Sequence, residues 1–69
     1  MTMNKEVLIE IIENIKESAD ELTQIEEKND VEYGTLLGLC ESLSAIKSAC
    51  AGYDLKELGL DFDIDKEYL

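Results

Sequence analysis

Two segments of apolar residues at helical spacing, separated by a short polar stretch, most constrain the fold of this chain. In the first segment, Leu8, Ile15 and Leu22 recur every seven positions. This spacing is typical of one amphipathic helix. We therefore predict a helix over about residues 4–28, with Asn4 as its N-cap.

The second segment begins directly after the polar turn Lys28-Asn29-Asp30. Asn29 followed by Glu32 is typical of a capping box, and Gly52 is suited to a left-handed C-cap. These signals predict a second helix over about residues 30–51. Because the link is short, the two helices are expected to form an antiparallel hairpin.

The second helix has one apolar side and one side of small residues. The first helix is expected to pack its apolar stripe on four residues of this apolar side. Ile9, in contrast, is expected on the exposed acidic flank of the first helix. Lys47 lies within the apolar side, either with its ammonium group reaching solvent or paired with a carboxylate across an interface. The four residues on which the first helix is expected to pack are Leu36, Leu39, Leu43 and Ile46.

The side of small residues is the predicted self-association surface. A glycine inside a helix costs about 1 kcal/mol relative to alanine, and close approach of another helix would offset that cost. The alternative is that this side is merely exposed. The predicted contact residues are Gly34, Gly38, Ala45 and Ala49.

After Gly52 the pattern predicts one short helix over residues 54–58, ended by Gly59. In the tail, 60–69, Leu60, Phe62 and Ile64 alternate with aspartates. This alternation favours an extended acidic segment held on the hairpin. An unstructured tail, or one that folds onto a partner, is the alternative.

These elements give an all-α fold with one small domain over residues 1–69. The chain comprises an antiparallel two-helix hairpin, a short third helix and an extended tail. A domain of this size seldom gains much stability alone. We therefore expect a homodimer that forms a four-helix bundle.

Composition limits the function. The chain has 17 Asp and Glu, 6 Lys, no His or Arg, and a formal net charge of −11. Histidine is the commonest general base near neutral pH, and a nucleic-acid-binding protein needs a basic stripe. We predict no enzymatic activity, no catalytic, cofactor-binding or metal-binding residues, no cofactor and no direct binding of nucleic acid.

The cysteines and the aspartates of the tail do not change this expectation. Cys40 and Cys50 lie about 15 Å apart along one helix, too far for a disulfide. They are predicted to be small buried apolar residues, and an intersubunit bridge or a reactive thiol is the alternative. The aspartate row of the tail is not an EF-hand loop, because Lys66 stands where that loop needs glycine.

No apolar run is long enough to span a membrane or to form a signal peptide. An acidic surface is also repelled by anionic lipid. The sequence therefore predicts a cytoplasmic protein without membrane contact. In size and charge the chain resembles small acidic proteins encoded by bacterial phages and mobile elements, and this resemblance implies no role for any particular residue.

The acidic side of the first helix is the predicted partner-binding surface. Like charges at i, i+4 are mildly destabilising, so the charge suggests a basic protein partner, such as a nucleic-acid-handling protein that this chain inhibits or modulates as a nucleic-acid mimic. The alternative is a self-associating assembly module whose charge serves solubility only. The predicted partner-binding residues are Glu6, Glu10, Glu13, Glu17, Asp20, Asp61, Asp63 and Asp65.

Overall fold

The computed structural model describes residues 4–69, which form four helices and no strand. The two long helices, α1 (Lys5–Thr23) and α2 (Asp30–Ala49), pack against each other. Two short helices, α3 (Leu55–Leu58) and α4 (Ile64–Tyr68), follow. The all-helical hairpin predicted from the sequence is thus confirmed. No helix in residues 4–69 is both long and apolar enough to cross a membrane.

The predicted helix starts are confirmed by their capping hydrogen bonds. The Asn4 side chain accepts a hydrogen bond from the Val7 N–H at 2.8 Å. At the start of α2, Asn29 Oδ1 accepts from the Glu32 N–H at 2.8 Å, and Glu32 Oε1 accepts from the Asn29 N–H at 3.0 Å. This reciprocal pair is a capping box.

Both long helices end earlier than predicted. The Ile25 N–H binds the carbonyl of Leu22, three residues back, so α1 tightens and stops at Thr23 rather than near residue 28. In the same way, the Ala51 N–H binds the Ser48 carbonyl and α2 stops at Ala49. Gly52 has the expected positive φ of 99° but lies in the turn beyond the helix end.

The end of α3 follows the prediction closely. Asp54 caps its start, Gly59 adopts a left-handed conformation with φ of 79°, and the Leu60 N–H binds the Leu55 carbonyl at 2.8 Å. This bond spans six residues, as in a Schellman motif. The chain is thereby turned back onto the hairpin.

The predicted extended tail is wrong beyond residue 63, where α4 forms. The Asp63 side chain caps α4 by accepting a hydrogen bond from the Lys66 N–H. Ile64 and Tyr68, four positions apart, are both buried on the hairpin. The expected packing of the alternating residues still holds, because Leu60 is fully buried and Phe62 packs against the core.

The core lies between the hairpin and the C-terminal segment, residues 55–69, which comprises α3, α4 and the connection between them. Leu36 and Leu43 are buried as predicted, while Leu39 and Ile46 are only partly buried. The remaining buried side chains come from all four helices and the connections between them. They are Ile12, Ala19, Cys40, Cys50, Leu58, Leu60, Ile64 and Tyr68.

The prediction for Ile9 is wrong. Ile9 packs against the core, whereas Ile11, two positions further along α1, is 36% exposed. The reason is that α3 and α4 cover the side of α1 on which Ile9 lies. The buried stripe of α1 is therefore rotated toward the C-terminal segment.

Replacing Leu60 with alanine tests whether the C-terminal segment is part of the core. Because Leu60 is fully buried, we expect Leu60→Ala to lower the free energy of unfolding by about 3 kcal/mol. The matched control Leu69→Ala, at a 56% exposed position, should change it by less than about 0.5 kcal/mol. Urea unfolding measures both values, and equal small effects would mean that the segment is not docked.

Candidate functional site

The acidic side of α1 presents a continuous row of carboxylates to solvent. At about 100° per residue, the members of the row share one side of the helix, and all are exposed. None of them takes part in an ion pair within residues 4–69, where the one ion pair joins Lys5 to Glu57. We call this row the acidic face: Glu6, Glu10, Glu13, Glu17 and Asp20.

Within residues 4–69 no lysine forms an ion pair with the acidic face, and three of the six lysines bind backbone carbonyl groups. Lys16 Nζ donates to the Gly59 carbonyl at 3.0 Å and lies 5.1 Å from the centre of the Phe62 ring. Lys28 Nζ donates to the Ile25 carbonyl at 3.1 Å. These ammonium groups therefore serve the fold and leave the carboxylates of α1 uncompensated.

Lys47 has the same role from the second helix. Its Nζ donates to the Phe62 carbonyl at 2.6 Å. The sequence suggested a carboxylate partner across an interface or an ammonium group in solvent; instead the side chain holds the connection between α3 and α4. Lys16 and Lys47 thus fasten the C-terminal segment to α1 and α2 respectively.

The three aspartates of the tail lie beside α2 rather than extending the acidic face. Asp61, Asp63 and Asp65 border an open depression that Lys47 also lines. Asp63 is engaged as the cap of α4. Within residues 4–69 no three Cys, Asp or Glu side chains are grouped closely enough to hold a metal ion.

The acidic face continues onto α4 through Glu67, which sequence analysis did not single out. Asp20 and Glu67 line one depression together with Lys16, Phe62 and Tyr68. Glu67 follows the capping residue Asp63 by four positions, so a prediction of α4 would have placed it on a helix. Burial, followed by the negative charges of Asp20 and Glu67, raises the pKa of Tyr68 to about 12.

The small residues of α2 face outward. Gly34, Gly38, Ala45 and Ala49 are all exposed. A Cβ atom built on Gly34 or Gly38 would meet nothing within 4 Å. The chain therefore has room for side chains there, and no element within residues 4–69 packs on this surface.

Both cysteines are buried with free thiols, as predicted. Burial raises the pKa of the Cys40 thiol, with a smaller contribution from the charge of Asp65. A raised pKa keeps the thiol protonated, and the protonated form is a poor nucleophile. Cys40 is thus better suited to the core than to nucleophilic chemistry.

The raised pKa of Tyr68 predicts a loss of stability at alkaline pH. The unfolded chain loses the phenol proton near pH 10 and the folded chain near pH 12, so the folded form binds more protons between these values. Stability contributed by the neutral phenol is complete below pH 10 and falls by up to about 1.4 kcal/mol per pH unit above it.

Urea unfolding across alkaline pH, compared between the Tyr33→Phe, Tyr53→Phe protein and the same protein with Tyr68→Phe added, isolates this effect. We expect the protein that keeps Tyr68 to lose more stability above pH 10. Parallel stability curves for the two proteins would contradict the assignment.

Comparisons with protein-family models, curated proteins and solved structures found no match for this chain.

Proposed function

We propose that this chain is a non-enzymatic, cytoplasmic protein that binds another protein through its acidic face and modulates it. The observation that carries the proposal is the uncompensated charge of α1. The carboxylates of the acidic face are exposed and have no ion-pair partner within residues 4–69, while Lys16, Lys28 and Lys47 bind backbone carbonyl groups. A basic surface on a partner supplies the opposite charge that the chain itself does not.

The energetics of the helix support this proposal. Glu6 and Glu10, and Glu13 and Glu17, are like-charge pairs four positions apart, each destabilising α1 by a few tenths of a kcal/mol. Binding to a cationic surface converts this repulsion into attraction. It also accelerates association by electrostatic steering.

A basic site that handles nucleic acid is the target class that this charge fits best. From Glu6 to Glu21 the six acids of α1 span about 22 Å. Their spacing is sparser than the one charge per ~1.7 Å of duplex DNA. The acidic face, with Glu67 beside Asp20, therefore competes for part of a nucleic-acid site, and inhibition follows from occupying that part.

Neutral substitutions in the acidic face test this proposal. We expect a protein captured from cell lysate by the wild-type chain to be released as salt is raised. The Glu10→Gln, Glu13→Gln, Glu17→Gln variant should not retain it even at low salt. Capture is followed by identifying the retained protein by mass spectrometry.

The matched control is Glu26→Gln, Glu27→Gln, Glu41→Gln, which removes the same charge from exposed positions outside the acidic face. It should capture the same protein as the wild type. Equal loss in both variants would show that net charge alone determines binding. Equal retention in both would contradict a role for the acidic face.

The alternative function is a self-associating module, and the open small-residue surface of α2 favours it. In this proposal Gly34, Gly38, Ala45 and Ala49 bring α2 of two copies together in a four-helix homodimer, and the charge serves solubility. The absence of any atom within 4 Å of a Cβ on either glycine leaves space for the backbone of a second helix.

Gly38→Leu distinguishes the two functions. Because the position is open within the chain, the variant should fold and gain up to about 1 kcal/mol from better helix propensity. If α2 packs against a second copy, the added side chain should disrupt the dimer by overpacking. Sedimentation analysis of the wild type and Gly38→Leu measures this, and an undisturbed dimer would contradict a contact through Gly38.

A further inference from the structure

Within residues 4–69, one side of the hairpin is covered by α3 and α4 and the other side is left open. The covered side of α1 is marked by the Lys5–Glu57 ion pair, the Lys16–Gly59 hydrogen bond and the position of Asp20 beside Tyr68. At about 100° per residue, Val7 and Ile11 project from the opposite edge of α1.

Burial agrees with this geometry. Ile9 and Ile11 are the same residue type two positions apart, yet Ile9 packs against the core and Ile11 is 36% exposed. On α2, Lys47 and Cys40 face the C-terminal segment. Leu39 and Ile46 lie on the other side, where they are only partly buried.

The uncovered residues form an apolar strip along the hairpin, which we call the open face. It contains no charged side chain, and from Val7 to Leu22 it extends about 22 Å, or about four helical turns. It consists of Val7, Ile11, Ile15 and Leu22 on α1 and Leu39 and Ile46 on α2.

The two edges of the open face differ in charge. Along α1 it is bordered by Glu10, Asn14, Ser18 and Glu21, which are all exposed. Along α2 it is bordered by the uncharged, exposed residues Thr35 and Ser42. An occupant of this surface therefore meets free carboxylates along α1, whereas the carboxylate of Glu32 at the start of α2 is engaged in the capping box.

We propose that the open face binds an amphipathic helix of the partner protein, with an apolar stripe over Ile11 and Ile15 and lysine or arginine along the flank nearest Glu10 and Glu21. This proposal rests on the proposed function and specifies the form in which the basic partner is recognised. The adjacent apolar and acidic strips of α1 then act as one surface.

A second copy of this chain fits the open face less well. Its own helices carry no basic flank, because α1 and α2 contain only Lys5, Lys16 and Lys47, and all three bind groups of the C-terminal segment. Each copy also carries a net charge of −11. Charge complementarity therefore favours a cationic helix over self-association at this surface.

The test uses the full chain and two synthetic peptides of identical composition. One places leucines on one face of a helix and lysines along one flank; the other contains the same residues in an order that disperses both. We expect the amphipathic peptide to bind about tenfold more tightly, a difference of ~1.4 kcal/mol. Calorimetric titration at low salt gives both dissociation constants.

Ile11→Gln is the matched variant, with Val31→Gln as its control. Val31 is 77% exposed and is not one of the open-face residues. We expect Ile11→Gln to weaken binding of the amphipathic peptide by about tenfold and Val31→Gln to leave it unchanged. Circular dichroism checks that both variants keep the helical content of the wild type.

The outcomes separate this proposal from the proposed function. Equal binding of the two peptides, unaffected by Ile11→Gln but lost in the Glu10→Gln, Glu13→Gln, Glu17→Gln variant, would overturn the open face while supporting the acidic face. Equal binding of a matched peptide with glutamate in place of lysine would overturn the charge argument. A wild-type dimer that Ile11→Gln dissociates would assign the open face to a second copy instead.

Discussion

Two packed helices leave apolar residues exposed on both sides of the line along which they meet. The structure depends on one contact, the packing of the C-terminal segment over one of these sides. Leu58, Leu60 and Ile64 enter the core alongside Ile12 and Leu43. Without them the apolar residues of the hairpin would be exposed along both sides. Burial of apolar area is the main favourable contribution to folding. A chain of 69 residues therefore needs the apolar area that the C-terminal segment buries.

The same contact determines how charge is distributed over the surface. Lys16 and Lys47, one from each long helix, donate to the carbonyls of Gly59 and Phe62, which lie in the connection between α3 and α4. Within residues 4–69 neither lysine forms an ion pair with a carboxylate of α1. The docked segment thus engages two ammonium groups, and the acidic face has no ion-pair partner in this part of the chain.

Sequence reasoning predicted the parts of the fold that local chemistry determines. The hairpin, the Asn29–Glu32 capping box and the left-handed Gly59 each depend on residues close together in the chain. The α4 helix was missed because Leu60, Phe62 and Ile64 also fit an alternating strand pattern, whereas the pair Ile64 and Tyr68 that defines the helix becomes informative only against the hairpin surface.

The candidate site was predictable only in part, for the same reason. The carboxylates of α1 share one side by helix geometry alone, and the structure places them there. The roles of Lys47 and Glu67 depend on where the C-terminal segment packs. The same packing decides that Ile9 is covered and that Ile11 is exposed. The spacing of apolar residues along the sequence does not show which distant residues come into contact in the fold.

We propose that the acidic face serves binding and not folding. The most direct test is the free energy of unfolding of the Glu10→Gln, Glu13→Gln, Glu17→Gln variant against the wild type, at low salt. Because these carboxylates have no ion-pair partner in residues 4–69, we expect the variant to be at least as stable as the wild type, with a gain of a few tenths of a kcal/mol per relieved pair. A loss of about 1 kcal/mol or more, well above the usual effect of an exposed substitution, would instead show that the acidic face stabilises the fold.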